Sequence, residues 1–412
     1  MDNYQQSTRR PHILWVRESP LDTALDSATW LETTRELREL GWKISLISRG
    51  PAGRQRIQGV EVYCLPTSGR YFLGPALFHL RLVNLLLQRW NGIDAILFHQ
   101  RSAAWLLPLK LLSRLIGAKR PLFVMDTRDL SDERGSFKSH LRITFTRLAH
   151  WLANRWADGQ TAITSGMAEL VGIPAERLWG LWPSGVRLAR FDQAQEGRHW
   201  PAADQTIHLI YIGKLQAARN MLLLCQAVER ANAGGMLFVL SLVGEGPERA
   251  KLEQFALQSE GGIRVSRAVP YDQVPELLKQ AHVGVTPLPS PSDKKFQASS
   301  PIKLFEYMAA GLPILATRNP CHTEVVGNGK FAFWAEDETI SGLHAALQLI
   351  GKSHSSFGSM GGDAALAARE WTWRASATKL SKALEYGLSL KIDDWAVART
   401  SVAATSRGVN GQ

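Results

Sequence analysis

Three glycine-marked turns in the C-terminal half carry side chains that could hold a phosphorylated ligand. In Tyr211-Ile-Gly213-Lys214-Leu-Gln-Ala-Ala-Arg219-Asn220 an apolar run ends in glycine and a helical pattern starts near Asn220. Gly213 permits a tight turn and close backbone approach. A helix N-terminus offers free N–H groups and about half a positive charge, and Lys214 and Arg219 would add two full cations beside it. Leu242-Val-Gly244-Glu-Gly246-Pro247 is a second strand-to-helix turn, with Pro247 near the first helical position. In the stretch from Ser299 to Pro313, Ser300 reads as N-cap, Pro301 as the first helical residue and Gly311 as the terminating glycine. Lys303 and Glu306 fall one turn apart on one face. A carboxylate at 306 can accept two hydrogen bonds from a vicinal diol such as a ribose. Each piece alone also suits an ordinary capped helix; their order and spacing together carry the signal.

The elements that would position these residues follow from the alternation of short apolar runs with longer helical patterns. Strands are predicted at His12–Val16, Lys43–Ser48, Val60–Cys64, Asp94–His99, Leu122–Asp126, Gly159–Ile163 and Leu178–Trp182. Further strands are predicted from Ile207, then at Leu237–Val243, Gly262–Val265, Val283–Thr286 and Pro313–Ala316. Helices fill most of the gaps, for example Ala28–Leu40 with Gly41 as its stop. This pattern implies βαβ units and parallel sheets covered on both faces. The expected organisation is an N-terminal domain over residues 1–195, a linker at 196–206 and a second α/β domain at 207–368. Helices are expected at 369–390, with a loose tail at 391–412. Two doubly wound domains would face a central cleft, with ligands at the carboxyl ends of the strands.

Composition narrows the function classes. The chain has 412 residues, 45% apolar and 21% charged, ordinary for a folded protein. Cys64, Cys225 and Cys321 are far apart, which argues against a disulfide scaffold or a cysteine zinc site and suits a reducing compartment. No stretch of about 18 residues is free of charge, so no transmembrane helix is expected, and the first apolar run reads as a strand instead of a signal peptide. The net charge is +11, and residues 70–156 hold 14 basic against 5 acidic side chains. Basic, apolar helices are predicted there at Phe72–Trp90, Ala103–Leu115 and Lys138–Trp156. Arg and Lys beside Trp and Leu suit an anionic membrane surface or an anionic acceptor. Nucleic acid is not expected, for no reading motif or stacking platform is present.

The ordered set of turns resembles the family 4 glycosyltransferases of the GT-B fold. Gly213-Lys214-Leu215 with Arg219 resembles the family's Gly-Arg-Leu-x-x-x-Lys, with the two cations exchanged. Val243–Pro247 matches its Val-Gly-x-Gly-Pro. Glu306-Tyr-Met-Ala-Ala-Gly311-Leu-Pro313 resembles its Glu-Ala-Met-Ala-x-Gly-x-Pro. Ala281–Leu288 and Thr323–Gly329 resemble two further segments. In the first domain, Asp126-Thr-Arg128-Asp129-Leu resembles a variant found in relatives that build surface polysaccharides, and Trp182–Val186 resembles a Pro-Asn-Gly-Val hinge. Two departures stand out: Ala298 occupies a position where many members carry Glu, and Glu18–Ala24 replaces the usual Gly-Gly loop.

The resemblance implies retaining transfer from a nucleotide sugar, without metal or other cofactor, to a lipid-linked or glycan acceptor. The expected setting is the cytoplasm, at the inner face of the membrane. Lys214 and Arg219 are the expected catalytic cations, with Arg128 and Asp129 as further catalytic candidates. Gly213, Gly244, Ser300, Pro301, Lys303 and Glu306 would bind the donor, and His99 is an acceptor-side candidate. The competing readings are a catalytically weak nucleotide-sugar-binding subunit and a nucleotide-sugar epimerase. The second would need extra catalytic carboxylates and histidines that the sequence does not offer.

Overall fold

The alternating apolar runs form two parallel sheets. The computed structural model describes residues 9–22, 26–68, 73–115, 120–130, 137–289 and 294–407. The chain divides into two units: Met1–Pro183 with Ser376–Gln412, and Ser184–Ala375.

The first unit holds strands β1 (His12–Val16), β2 (Lys43–Arg49), β3 (Gly53–Ile57), β4 (Val60–Leu65), β5 (Ala95–His99), β6 (Leu122–Thr127), β7 (Gly159–Ala162) and β8 (Leu178–Leu181). Their order is β3-β4-β2-β1-β5-β6-β7-β8, and only the β3–β4 pair is antiparallel. The central strand β1 is buried along its whole length. Its alternate side chains go to opposite faces: Ile13 and Trp15 into one core, Leu14 and Val16 into the other. Helix α1 (Ser27–Glu39) covers the first face with Trp30 and Leu31, joined by Leu380 and Leu384 of the Trp373–Arg407 helix. Helices α2 (Leu73–Arg89), α3 (Gln100–Leu115) and α4 (Phe137–Trp156) cover the other. The C-terminal helix is pinned to this unit where Trp42 Nε1 donates to Ser381 Oγ at 2.8 Å.

The second unit holds β9 (Ile207–Ile212), β10 (Phe238–Val243), β11 (Ile263–Ser266), β12 (Val283–Thr286), β13 (Ile314–Thr317) and β14 (Ala332–Ala335). Their order is β11-β10-β9-β12-β13-β14, and among the described residues every pairing is parallel. The order reverses beside β9, so that strand's carboxyl end opens the crevice expected of a doubly wound sheet.

Several expectations need adjustment. β3 (GRQRI) and β14 (AFWA) are not among the predicted strands: β3 is a polar antiparallel edge, and β14 is a short apolar run at the edge of the second sheet. The unit boundary falls at 183/184, not at 195. Phe191 and Ala194 are buried with Leu278 and Tyr307 in the second unit's core. Nor is 196–206 a loose connector: Arg198 donates to the carbonyls of Ala194, Leu278 and Ala310, and Trp200 packs on the core. The backbone is helical through Arg407, where a loose tail from 391 was expected.

Candidate active site

In the second unit the site begins with backbone touching backbone. The Gly213 N–H donates to Val243 O at 3.0 Å, and Leu215 N–H to Glu245 O at 2.9 Å, so the turns after β9 and β10 lie side by side. A Cβ on Gly244 would land on the Gly213 carbonyl, and one on Gly246 would land on the Leu215 backbone. Only glycine allows this approach. Gly213 has φ +151°, and a Cβ there would meet Lys303 Nζ at 3.0 Å.

Lys303 and Glu306 come from the Ile302–Ala309 helix, and both are buried. The Lys303 ammonium lies over the Tyr211 ring at 4.6 Å. Burial, then the positive charge of Arg219, hold its pKa well below the usual lysine value, against the opposing pull of Glu306. Burial raises the Glu306 carboxyl to about 7, against the opposing effects of a hydrogen bond with Tyr271 and the charges of Lys303 and Arg190. Arg190 in turn lies over the Tyr271 ring at 4.5 Å. Lys214 is exposed at the rim. Arg219 closes a short 3-10 turn, Ala217–Arg219, with its guanidinium 5.5 Å from the Phe296 ring and its Nε buried without a hydrogen-bond partner. Asn220 follows with φ +58°, a left-handed kink that starts the Met221–Ala233 helix.

Ser300 departs from its expected role. Pro301 occupies the N-cap position with no side-chain cap, and the helix starts at Ile302. Ser300 Oγ instead accepts from the Ser184 N–H, while Ser184 Oγ donates to Ser300 O, both at 3.0 Å. Tertiary pairing outcompeted the local cap. Gly311 does terminate the helix, with φ +66°.

Two tyrosines escaped the sequence reading. Tyr211 Oη donates to Lys214 O at 2.9 Å and closes the turn after β9. Tyr307 Oη accepts from the Ile212 N–H at 3.0 Å and ties that strand end to the Lys303–Glu306 helix. A tyrosine at a strand's penultimate position, and another directly after Glu306, were the available signals. Ala298 is buried after the Lys294–Gln297 helix and offers no carboxylate. The sequence offers Asp293 or Lys294 for that contact: Asp293 lies outside the described residues, and Lys294 opens the helix as an exposed residue.

The first unit gathers its candidates at the carboxyl ends of β1, β5 and β6. Arg17 follows β1, His99 ends β5 opposite Asp126, and Arg128 follows β6. Arg17 holds Asp26 through two bonds of 2.7 and 2.8 Å. The Arg128 guanidinium lies 3.6 Å from the Trp182 ring centroid and donates to Trp182 O at 3.0 Å. Its Nη2 is buried without a hydrogen-bond partner. Burial lowers its pKa to about 10. The structure thus uses much of Arg128 to brace Trp182. Trp182 Nε1 donates to Asp126 Oδ1 at 2.8 Å, and Thr161 Oγ1 to the same oxygen at 2.6 Å. Asp129 is exposed, and its carbonyl accepts from Gln100 Nε2 at 2.6 Å. Burial, then Arg17 and Arg101, hold His99 well below the usual imidazole pKa, so it stays neutral near pH 7.

The architecture recurs in solved structures. A sucrose-phosphate synthase from Thermosynechococcus elongatus shares 13% identity and a TM-score of 0.71, over 94% of this chain and 100% of that one. Anabaena HepE, solved with UDP-glucose, shares 14% identity and a TM-score of 0.69, over 91% and 99%. WaaG, a glycosyltransferase involved in lipopolysaccharide biosynthesis, shares 13% identity and a TM-score of 0.61, over 90% and 99%. These likenesses define the fold as GT-B.

The sequence places the chain within that fold. Residues 206–351 match the family described as "Glycosyl transferases group 1", and residues 27–179 match "Glycosyl transferase 4-like domain". The chain therefore belongs to the family 4-type glycosyltransferases. WcaL of Salmonella typhimurium strain LT2, assigned to colanic acid biosynthesis as a glycosyltransferase, is 25% identical over 187 residues. That match spans 44% of each chain, under half the relative's length.

Proposed function

We propose that this glycosyltransferase moves a sugar from a nucleoside-diphosphate sugar to a lipid-linked glycan acceptor during envelope or extracellular polysaccharide assembly. The supporting observation is the crossing of Gly213 and Gly244, which frees the strand ends of side chains and sets Lys214, Arg219 and Lys303 around the opening. As the bond from the anomeric carbon to the β-phosphate oxygen breaks, negative charge grows on the diphosphate. The cations and the N-terminus of the Ile302–Ala309 helix stabilise that charge without a metal ion. The acceptor hydroxyl oxygen forms the new bond on the face the phosphate leaves, and its proton passes to the departing phosphate. The configuration is retained, and no protein nucleophile is used. Glu306 receives the ribose hydroxyls. Arg128, Asp129 and His99 serve the sugar and acceptor side. On this reading the enzyme is a peripheral protein that meets a lipid-linked acceptor at the cytoplasmic face; among the described residues no helix is long and apolar enough to cross a membrane.

Titration of UDP, GDP and ADP by calorimetry, with EDTA present, tests the donor site. One nucleotide should bind tightly, and Glu306→Ala should weaken it. Failure of all three to bind would remove the donor reading.

A further inference from the structure

Helix α4 is apolar on the wrong side for a soluble protein. Ala149 and Ala153 are fully buried in the core under α3, and Leu152 and Trp156 pack partly against the same core. Four other large apolar side chains point outward. Leu141 is 49% exposed, Phe145 39%, Leu148 47% and Trp151 59%. The spacing of four, three and three residues puts them on one stripe, about 15 Å long at 1.5 Å per residue. Single exposed leucines are ordinary, but a row of four large side chains including a tryptophan marks an interaction surface.

The charge around the stripe says what covers it. Arg147 and Arg155 are exposed on the same helix. Across α2, α3 and α4 the sequence has nine Lys and Arg residues and not one Asp or Glu. A second copy of the chain fits poorly. In a two-fold pairing of this face, every arginine would meet apolar surface or another arginine, with no carboxylate on these helices to receive it. A surface that is apolar inside and anionic outside satisfies both features: the stripe enters the acyl boundary and the arginines remain among the headgroups.

We infer that the Leu141–Trp151 face of α4 docks this enzyme on a membrane bearing anionic lipid headgroups. The inference deepens the peripheral-membrane reading above and names the surface that performs it. It stands on α4 and the charge of its neighbours α2 and α3, and does not depend on the donor site.

Vesicle flotation of the full chain tests it, with phosphatidylcholine vesicles compared against vesicles containing phosphatidylglycerol at about 30% (a typical anionic fraction for such assays). Wild type should float with the anionic vesicles and not with the neutral ones. Leu148→Glu/Trp151→Glu should cut the bound fraction by about tenfold or more, since it removes apolar contact and adds repulsion. Arg147→Ser/Arg155→Ser keeps the apolar row and should weaken binding and flatten its salt dependence. Thermal unfolding and nucleotide titration should match wild type in both double variants. Equal flotation of wild type and variants, or no flotation on anionic vesicles, would overturn the inference. So would light scattering that finds a wild-type dimer lost in Leu148→Glu/Trp151→Glu, which would make the face a pairing surface. Nucleotide binding without vesicle binding would sink the docking surface alone; vesicle binding without nucleotide binding would sink the donor reading alone.

Discussion

Beyond β9 and β10 the second unit presents mostly backbone, whereas beyond β1, β5 and β6 the first unit presents mostly side chains. Gly213, Gly244 and Gly246 have no room for a Cβ, and their turns are fixed by main-chain bonds. Arg17, Asp126 and Arg128 are instead held by rings, hydroxyls and carboxylates drawn from several elements. A backbone-lined pocket suits the invariant part of a substrate, such as a diphosphate, because it depends on no side-chain identity beyond glycine. A side-chain-lined edge can be refitted one residue at a time, which suits the part that varies between relatives.

If that contrast is sound, the largest effect should come from Gly244→Ala. Its Cβ would collide with a main-chain carbonyl that has nowhere to go. We expect a loss of about 3 kcal/mol in chemical denaturation and undetectable nucleotide binding. A variant that binds nucleotide normally would show that the turn is not the phosphate cradle.

Next comes Arg219→Ala, which should lower kcat/KM by roughly ten- to a hundredfold through leaving-group stabilisation. Unchanged kinetics in a folded variant would take Arg219 out of the site.

Arg128→Ala tests the other side of the comparison. It removes a stacked cation and a hydrogen bond from Trp182 and should cost about 2 kcal/mol of stability while nucleotide affinity holds. A fall in nucleotide affinity would mean that the two regions do not divide the work as described.

Glu306 gives a smaller, pH-dependent signal. Its carboxyl titrates near 4.5 when unfolded and near 7 when folded. Between those values the folded state holds the extra proton. Its stability contribution is therefore complete below pH 4.5 and lost as the pH rises toward 7. Nucleotide affinity should move the opposite way, rising through pH 7 as the carboxylate forms. Glu306→Gln should flatten both profiles, and a wild-type affinity flat from pH 6 to 8 would separate Glu306 from the ribose.

The smallest effect should be Ser184→Ala, which removes one bond to Ser300 and should cost about 1 kcal/mol in the same denaturation assay.

The sequence by itself determined what glycine and apolar periodicity determine. Most strands of both sheets were legible as short apolar runs, as at His12–Val16 and Val283–Thr286. They were lost where pairing alone makes the strand, as in β3. The glycines of the turns after β9 and β10 were legible because only one residue type fits a backbone crossing, so the constraint is written in the residue itself. Side-chain partners are different: which polar group meets which is settled by elements far apart in the chain. Ser300 was read as a cap and became half of a pair with Ser184. The hydroxyls of Tyr211 and Tyr307 found backbone partners that no spacing announces. Arg128 carries its charge in the sequence, but its place against Trp182 comes from β6 and β8 lying two strands apart in one sheet. The outward turn of Leu141, Phe145, Leu148 and Trp151 was equally out of reach. A basic, apolar helix is visible in the sequence, but the face it buries was decided by packing: Ala149 and Ala153, with Leu152 and Trp156 beside them, fit the core under α3.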